Sequence, residues 1–245
     1  MLPGSLLAAA LAIVGYGWWT GKGFAARIAA LAGRSSRPRM IVAWAAGTWI
    51  TFGLSSIGAL ILLGRADAFV TMPRELQTVA WHFGLAGEAD PDMLIWLGGC
   101  LLVGIAAGVG ILAIRRRLGK RQIGFAYRSP AVARERDERL PATLLALSAG
   151  VSEELFFRLT LPLLFALVFG QGALGLALSL AAFAALHRHQ GVLGMIAVTL
   201  VGAWLTYLYL LTGALWVAIL LHVLIDLHAL VLRPWLMPAI SAPSP

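Results

Sequence analysis

The stretch AGVSEELFFRLTLPLLFALVF, residues 149–169, sets two adjacent carboxylates and a guanidinium inside a run that is otherwise long and apolar enough to lie in a bilayer. A charged side chain near the middle of a transmembrane helix costs about 2.5–3.5 kcal/mol on insertion scales. Glu153, Glu154 and Arg158 therefore ask for partners or a task. Helix geometry sorts them: Glu154 and Arg158 stand four residues apart on one face, in the favourable order for an ion pair, while Glu153 points about 100° away. One carboxylate is neutralised by its neighbour. The other is left free, which makes Glu153 the candidate general base.

The rest of the chain supplies the setting. Of 245 residues, 60% are hydrophobic and 12% charged, a composition that excludes an ordinary soluble domain. Apolar runs predict about seven spans, over 2–20, 40–63, 93–114, 141–169, 172–187, 191–211 and 214–232. The fold class is all-α, a polytopic transmembrane helical bundle. Short interfacial helices are expected where Phe24, Ile28 and Leu31, and then Leu76, Val79, Ala80 and Phe83, repeat at helical spacing. Another is expected to start at Ser129-Pro130 and lead to Leu140, with the mixed charges of 134–139 on a solvated surface. Three parts follow: a three-span region with basic loops over 1–140, a core over 141–233 and a short tail over 234–245.

The net charge of +8 does not call for a nucleic acid. Most Lys and Arg lie in 21–39 and 115–139, the latter including Lys120, Arg121 and Arg128, whereas 65–92 holds Arg65 and Arg74 against Asp67, Glu75, Glu88, Asp90 and Asp92. By the positive-inside rule the two basic stretches are cytoplasmic, so the N-terminus lies outside and the C-terminus in the cytoplasm. Lipids and a membrane-associated polypeptide are the expected partners.

Two later spans carry further polar residues. His187 follows Phe183 by four, near an inner helix end, where a lone histidine carries little weight by itself. His222 and Asp226 again share a helical face. Counted from the inner helix ends, Asp226 lies about 10 Å deep, His222 about 15 Å and Glu153 about 18 Å, with His187 shallower. A common site thus requires helix tilt or a displaced helix start.

In order along the chain these residues read Glu153-Glu154-x-x-x-Arg158, Phe183-x-x-x-His187 and His222-x-x-x-Asp226. The series resembles the motifs of the CAAX-processing and bacteriocin-immunity (CPBP) family of intramembrane endopeptidases, over roughly residues 141–233. Asp226 stands where the prenyl-protein proteases of that family often have Asn. The resemblance implies a polar cavity among helices and hydrolysis of a peptide bond within or at the edge of the membrane, with a C-terminal tail as one candidate position. Glu153 and His187 would then hold and deprotonate a water, His222 and Asp226 would face the oxyanion, and Glu154 with Arg158 would orient the base. Phe183 would pack beside His187.

Glutamate, two histidines and aspartate could in principle hold zinc, but the His-Glu-x-x-His helix of common zinc proteases is missing, so no cofactor is expected. Ser152 and Ser179 lie near the motifs without an implied base. His189 and Gln190 read as solvent or headgroup contacts of an inner turn. Two other functions fit the same residues: a non-catalytic immunity or peptide-binding membrane protein, and a proton- or cation-coupled transporter.

Overall fold

The computed structural model describes residues 1–85, 87–88, 90–119 and 129–236. Lys120, Arg121, Arg128 and the tail from 237 onward lie outside the described residues. Among the described residues every regular element is helical. Helix α1 is Leu2–Ala30, α2 Arg37–Leu62, α3 Arg74–His82 and α4 Pro91–Arg117. Helix α5 covers 139–169, α6 is Gly172–Leu186, α7 Gly191–Thr212 and α8 Leu215–Leu236.

Five stretches are long and apolar enough to cross a membrane: α1, α2, α4, Gly172–Thr212 and α8. Gly172–Thr212 is divided by the 3-10 turn His187–Gln190 into α6 and α7, which pack against each other. With α5 the bundle has seven long helices among the described residues, close to the expected spans. The segment around Phe24 and Ile28 continues α1 rather than forming a separate interfacial helix, because no turn residue interrupts it before Gly33. Ser129-Pro130 starts no helix; only the 3-10 turn Arg136–Glu138 precedes α5. The expected solvated surface over 134–139 is also corrected at Glu138, which is buried against Arg37. Helix α3 forms as expected, with Leu76, Val79 and Ala80 buried and Phe83 exposed just beyond its end. Helix α8 runs three residues into the segment read as tail.

Local chemistry explains the helix starts and the irregularity of α5. Pro38 and Pro91 occupy first turns, where their missing N–H costs nothing, and the Asp90 carboxylate caps the Asp92 N–H at 3.0 Å. Pro162 has no N–H to return to the Arg158 carbonyl, and directly before it α5 widens into a π turn, Leu155–Thr160. The Thr160 hydroxyl donates to the Leu155 carbonyl across that turn at 2.9 Å. The turn lies immediately after Glu153 and Glu154 and includes Arg158.

Helix α5 is the centre of the bundle, with Leu155 through Ala166 buried. It packs against α2, α6 and α8. Gly150 permits the approach of α8: a Cβ there would lie 2.5 Å from Val223 Cγ2 and 2.9 Å from the Val223 backbone nitrogen. Val223 adjoins His222, so this close crossing delivers the histidine to the two glutamates. At the other extreme, α4 is peripheral and leaves its described apolar window unburied, with Cys100 exposed on it.

Candidate active site

Glu154 is fully buried and serves two partners through one oxygen. Its Oε1 lies 3.0 Å from Arg158 Nη1, the expected ion pair, and 2.6 Å from His222 Nδ1. Because a carboxylate accepts, His222 donates from Nδ1, and its Nε2 is turned to the other two acids. Those distances are 3.9 Å to Glu153 Oε2 and 3.8 Å to Asp226 Oδ2. The i,i+4 spacing foretold the Arg158 contact. It could not foretell that α8 supplies a second partner to the same oxygen, for which the only local signal was the small residue at Gly150.

Phe183 organises the next layer. Its carbonyl accepts a hydrogen bond from His187 Nδ1 at 2.8 Å, which fixes the imidazole and leaves Nε2 for other work. Its ring lies 4.7 Å from the His187 ring and 6.0 Å from that of His222, and the Arg158 guanidinium sits over its face at 4.2 Å. Gly202 of α7 lets this arrangement close, since a Cβ there would come within 3.0 Å of Arg158 Nη2 and 2.8 Å of Leu180. The expected packing of Phe183 beside His187 is thus present, together with an unforeseen contact to Arg158.

Glu153 and His187 share a cavity of about 580 Å³, also walled by Phe157 and Phe183. His222 approaches Glu153 from the α8 side, with Asp226 one helical turn beyond it. Helix α6 ends at Leu186, and His187 opens the 3-10 turn that follows it. The serines are engaged elsewhere: Ser179 donates to the Phe157 carbonyl at 2.5 Å and Ser152 to the Ser148 carbonyl at 2.7 Å. Among the described residues no group of three His, Cys, Asp or Glu is disposed to hold a metal ion.

The opposite wall comes from α1 and α2, through Tyr16, Thr20, Arg27, Trp44 and Thr48. His189 joins it, its ring 5.7 Å from Trp44 and 5.9 Å from His187, so it is a wall residue rather than a simple headgroup contact. Nothing in its sequence neighbourhood distinguishes it, because the contact depends on α2 crossing the turn.

No curated protein and no solved structure shows a significant match to the chain. Residues 137–228 match the family model described as type II CAAX prenyl endopeptidase, Rce1-like. That segment holds Glu153, Glu154, Arg158, His187, His222 and Asp226. Together with the apolar helices, the match identifies an integral membrane protein whose residues 137–228 form a domain of the CPBP family of intramembrane endopeptidases.

Proposed function

We propose that this chain hydrolyses a peptide bond of a membrane-associated polypeptide with Glu153 activating the attacking water. The observation that supports this most strongly is the unequal placement of the two adjacent glutamates. Glu154 is committed to Arg158 and His222, whereas Glu153 opens onto the cavity beside His187. Glu153 takes a proton from water as its oxygen attacks the scissile carbonyl, and His187 Nε2 orients that water. His222, as the imidazolium, donates from Nε2 to the oxyanion, as does Asp226 in its protonated form, and the proton taken up by Glu153 passes to the leaving amine as the C–N bond breaks. Glu154 and Arg158 hold His222 in place. This route has no metal step, and activity is expected to survive chelation.

By the positive-inside rule the basic connections favour an outside N-terminus and a cytoplasmic C-terminus, and the proposal adopts that orientation. The cavity mouth near Arg27 and His189 then faces the cytoplasmic leaflet. A comparison of membrane-protein C-termini by mass spectrometry, in cells carrying native protein or Glu153→Ala, tests the function. A tail retained only with the variant identifies a substrate, and identical C-termini in the two cells count against proteolysis.

A further inference from the structure

We infer that Arg27 determines specificity by binding a carboxylate of the substrate that lies about four extended residues from the bond cut. This rests on the reading of Glu153 as the water-activating base and adds a feature of the substrate. Arg27 is on α1, outside the matched segment 137–228. It lines the same cavity as Glu153, and these two are the formally charged members of its described wall. Arg27 is exposed at the mouth, and no carboxylate among the described residues pairs with it. The rest of the described wall carries no formal charge and includes the rings of Phe24, Trp44 and Phe52, which suit apolar side chains rather than a second ion.

Helix contacts supply a ruler. A Cβ on Gly17 of α1 would lie 4.0 Å from the Phe52 ring of α2, and one on Gly53 would lie 3.3 Å from Ser152 Cβ, so Gly17 marks the level of Glu153. Farther along the same antiparallel pair, Phe24 meets Trp44 with ring centroids 5.9 Å apart. From Gly17 to Arg27, at about 1.5 Å per residue, is about 15 Å. An extended peptide covers that in about four residues at roughly 3.3 Å each. A guanidinium at such a point is a geometric match for a carboxylate, which it grips by two parallel hydrogen bonds. The carboxylate is either the end of the substrate chain or an Asp or Glu side chain.

The test uses full-length protein in liposomes and a library of peptides with an N-terminal palmitoyl anchor and randomised residues, made once with free C-termini and once as amides. Wild type is expected to cut where a carboxylate lies about four residues from the scissile bond. Preference for free acids over amides assigns it to the chain end, and equal cleavage with Asp or Glu enriched at that position assigns it to a side chain. Arg27→Ala should raise KM about tenfold for these peptides with kcat unchanged, and Arg27→Lys should restore part of the loss. Cleavage by wild type without either preference, or with KM unaltered in Arg27→Ala, overturns the role of Arg27 and leaves the hydrolase reading intact. Binding of both libraries to Glu153→Gln needs no turnover. Retention there that is insensitive to Arg27→Ala overturns the inference even if nothing is cut, whereas Arg27-dependent retention without cleavage by wild type supports it and counts against hydrolysis alone.

Discussion

Two buried arginine–glutamate pairs in this bundle are built for different ends. Arg37, fully buried at the start of α2, pairs with Glu138 and also donates to the carbonyls of Pro130 and Val132. Glu138 in turn accepts from the Arg134 N–H at 2.8 Å and the Glu135 N–H at 3.4 Å, while the Ala133 N–H reaches the Leu230 carbonyl of α8 at 2.9 Å. The pair fastens residues 129–138 across the ends of α2, α5 and α8, and the buried Ala131 and Ala133 fill the space between. Arg158 differs. It pairs with Glu154, it rests on the Phe183 ring, and Glu154 is shared with His222. Hydrogen bonds directed at backbone carbonyls hold a shape; a carboxylate shared with an imidazole connects the pair to a group that can exchange protons beside a cavity.

Removing one partner of the Arg37 pair should have the largest thermodynamic effect. Arg37→Met leaves a buried, uncompensated carboxylate and is expected to cost about 3–5 kcal/mol, read as a fall in melting temperature in detergent. The double variant Arg37→Met with Glu138→Leu should recover most of that loss; no recovery would mean that the pair is incidental. At the other pair the damage should fall on rate instead. His222→Gln is expected to reduce kcat about 10²–10³-fold with little change in melting, as for loss of an oxyanion donor. Asp226→Asn should be milder, less than about tenfold, because an amide can still donate a hydrogen bond.

The smallest effect concerns acid. Burial by itself raises the Glu138 carboxyl, but the hydrogen bond and charge of Arg37 and the N–H groups of Arg134 and Glu135 outweigh it and hold the group below its ordinary value of 4.5. A depressed folded-state value stabilises the protein above pH 4.5, and that contribution is lost as pH falls through the folded value. Melting curves below pH 4.5 should therefore converge between wild type and Arg37→Met with Glu138→Leu. Parallel curves would show that the Glu138 charge adds nothing to stability.

The same contrast marks what the sequence could convey. The Glu154–Arg158 contact is local, and i,i+4 spacing suffices to expect it. The seven long helices follow as directly from apolar runs. Arg37 and Glu138 are separated by some hundred residues, and each reads alone as an ordinary surface charge near a membrane. Only the fold reveals that both are buried. His222 likewise announces a partner on its own helix, Asp226, whereas its shortest contact is to Glu154 on another. The π turn before Pro162 and the 3-10 turn at His187 alter depth and phase in ways that uniform 1.5 Å counting misses.

Activation of the attacking water by Glu153 is the step on which the proposed hydrolysis turns. The direct measurement is single-turnover cleavage of a substrate peptide by reconstituted Glu153→Gln, set beside wild type at matched melting temperature. If Glu153 activates the water, the variant loses about 10²–10⁴-fold in the cleavage step and retains peptide binding. Cleavage within a few-fold of wild type would contradict it.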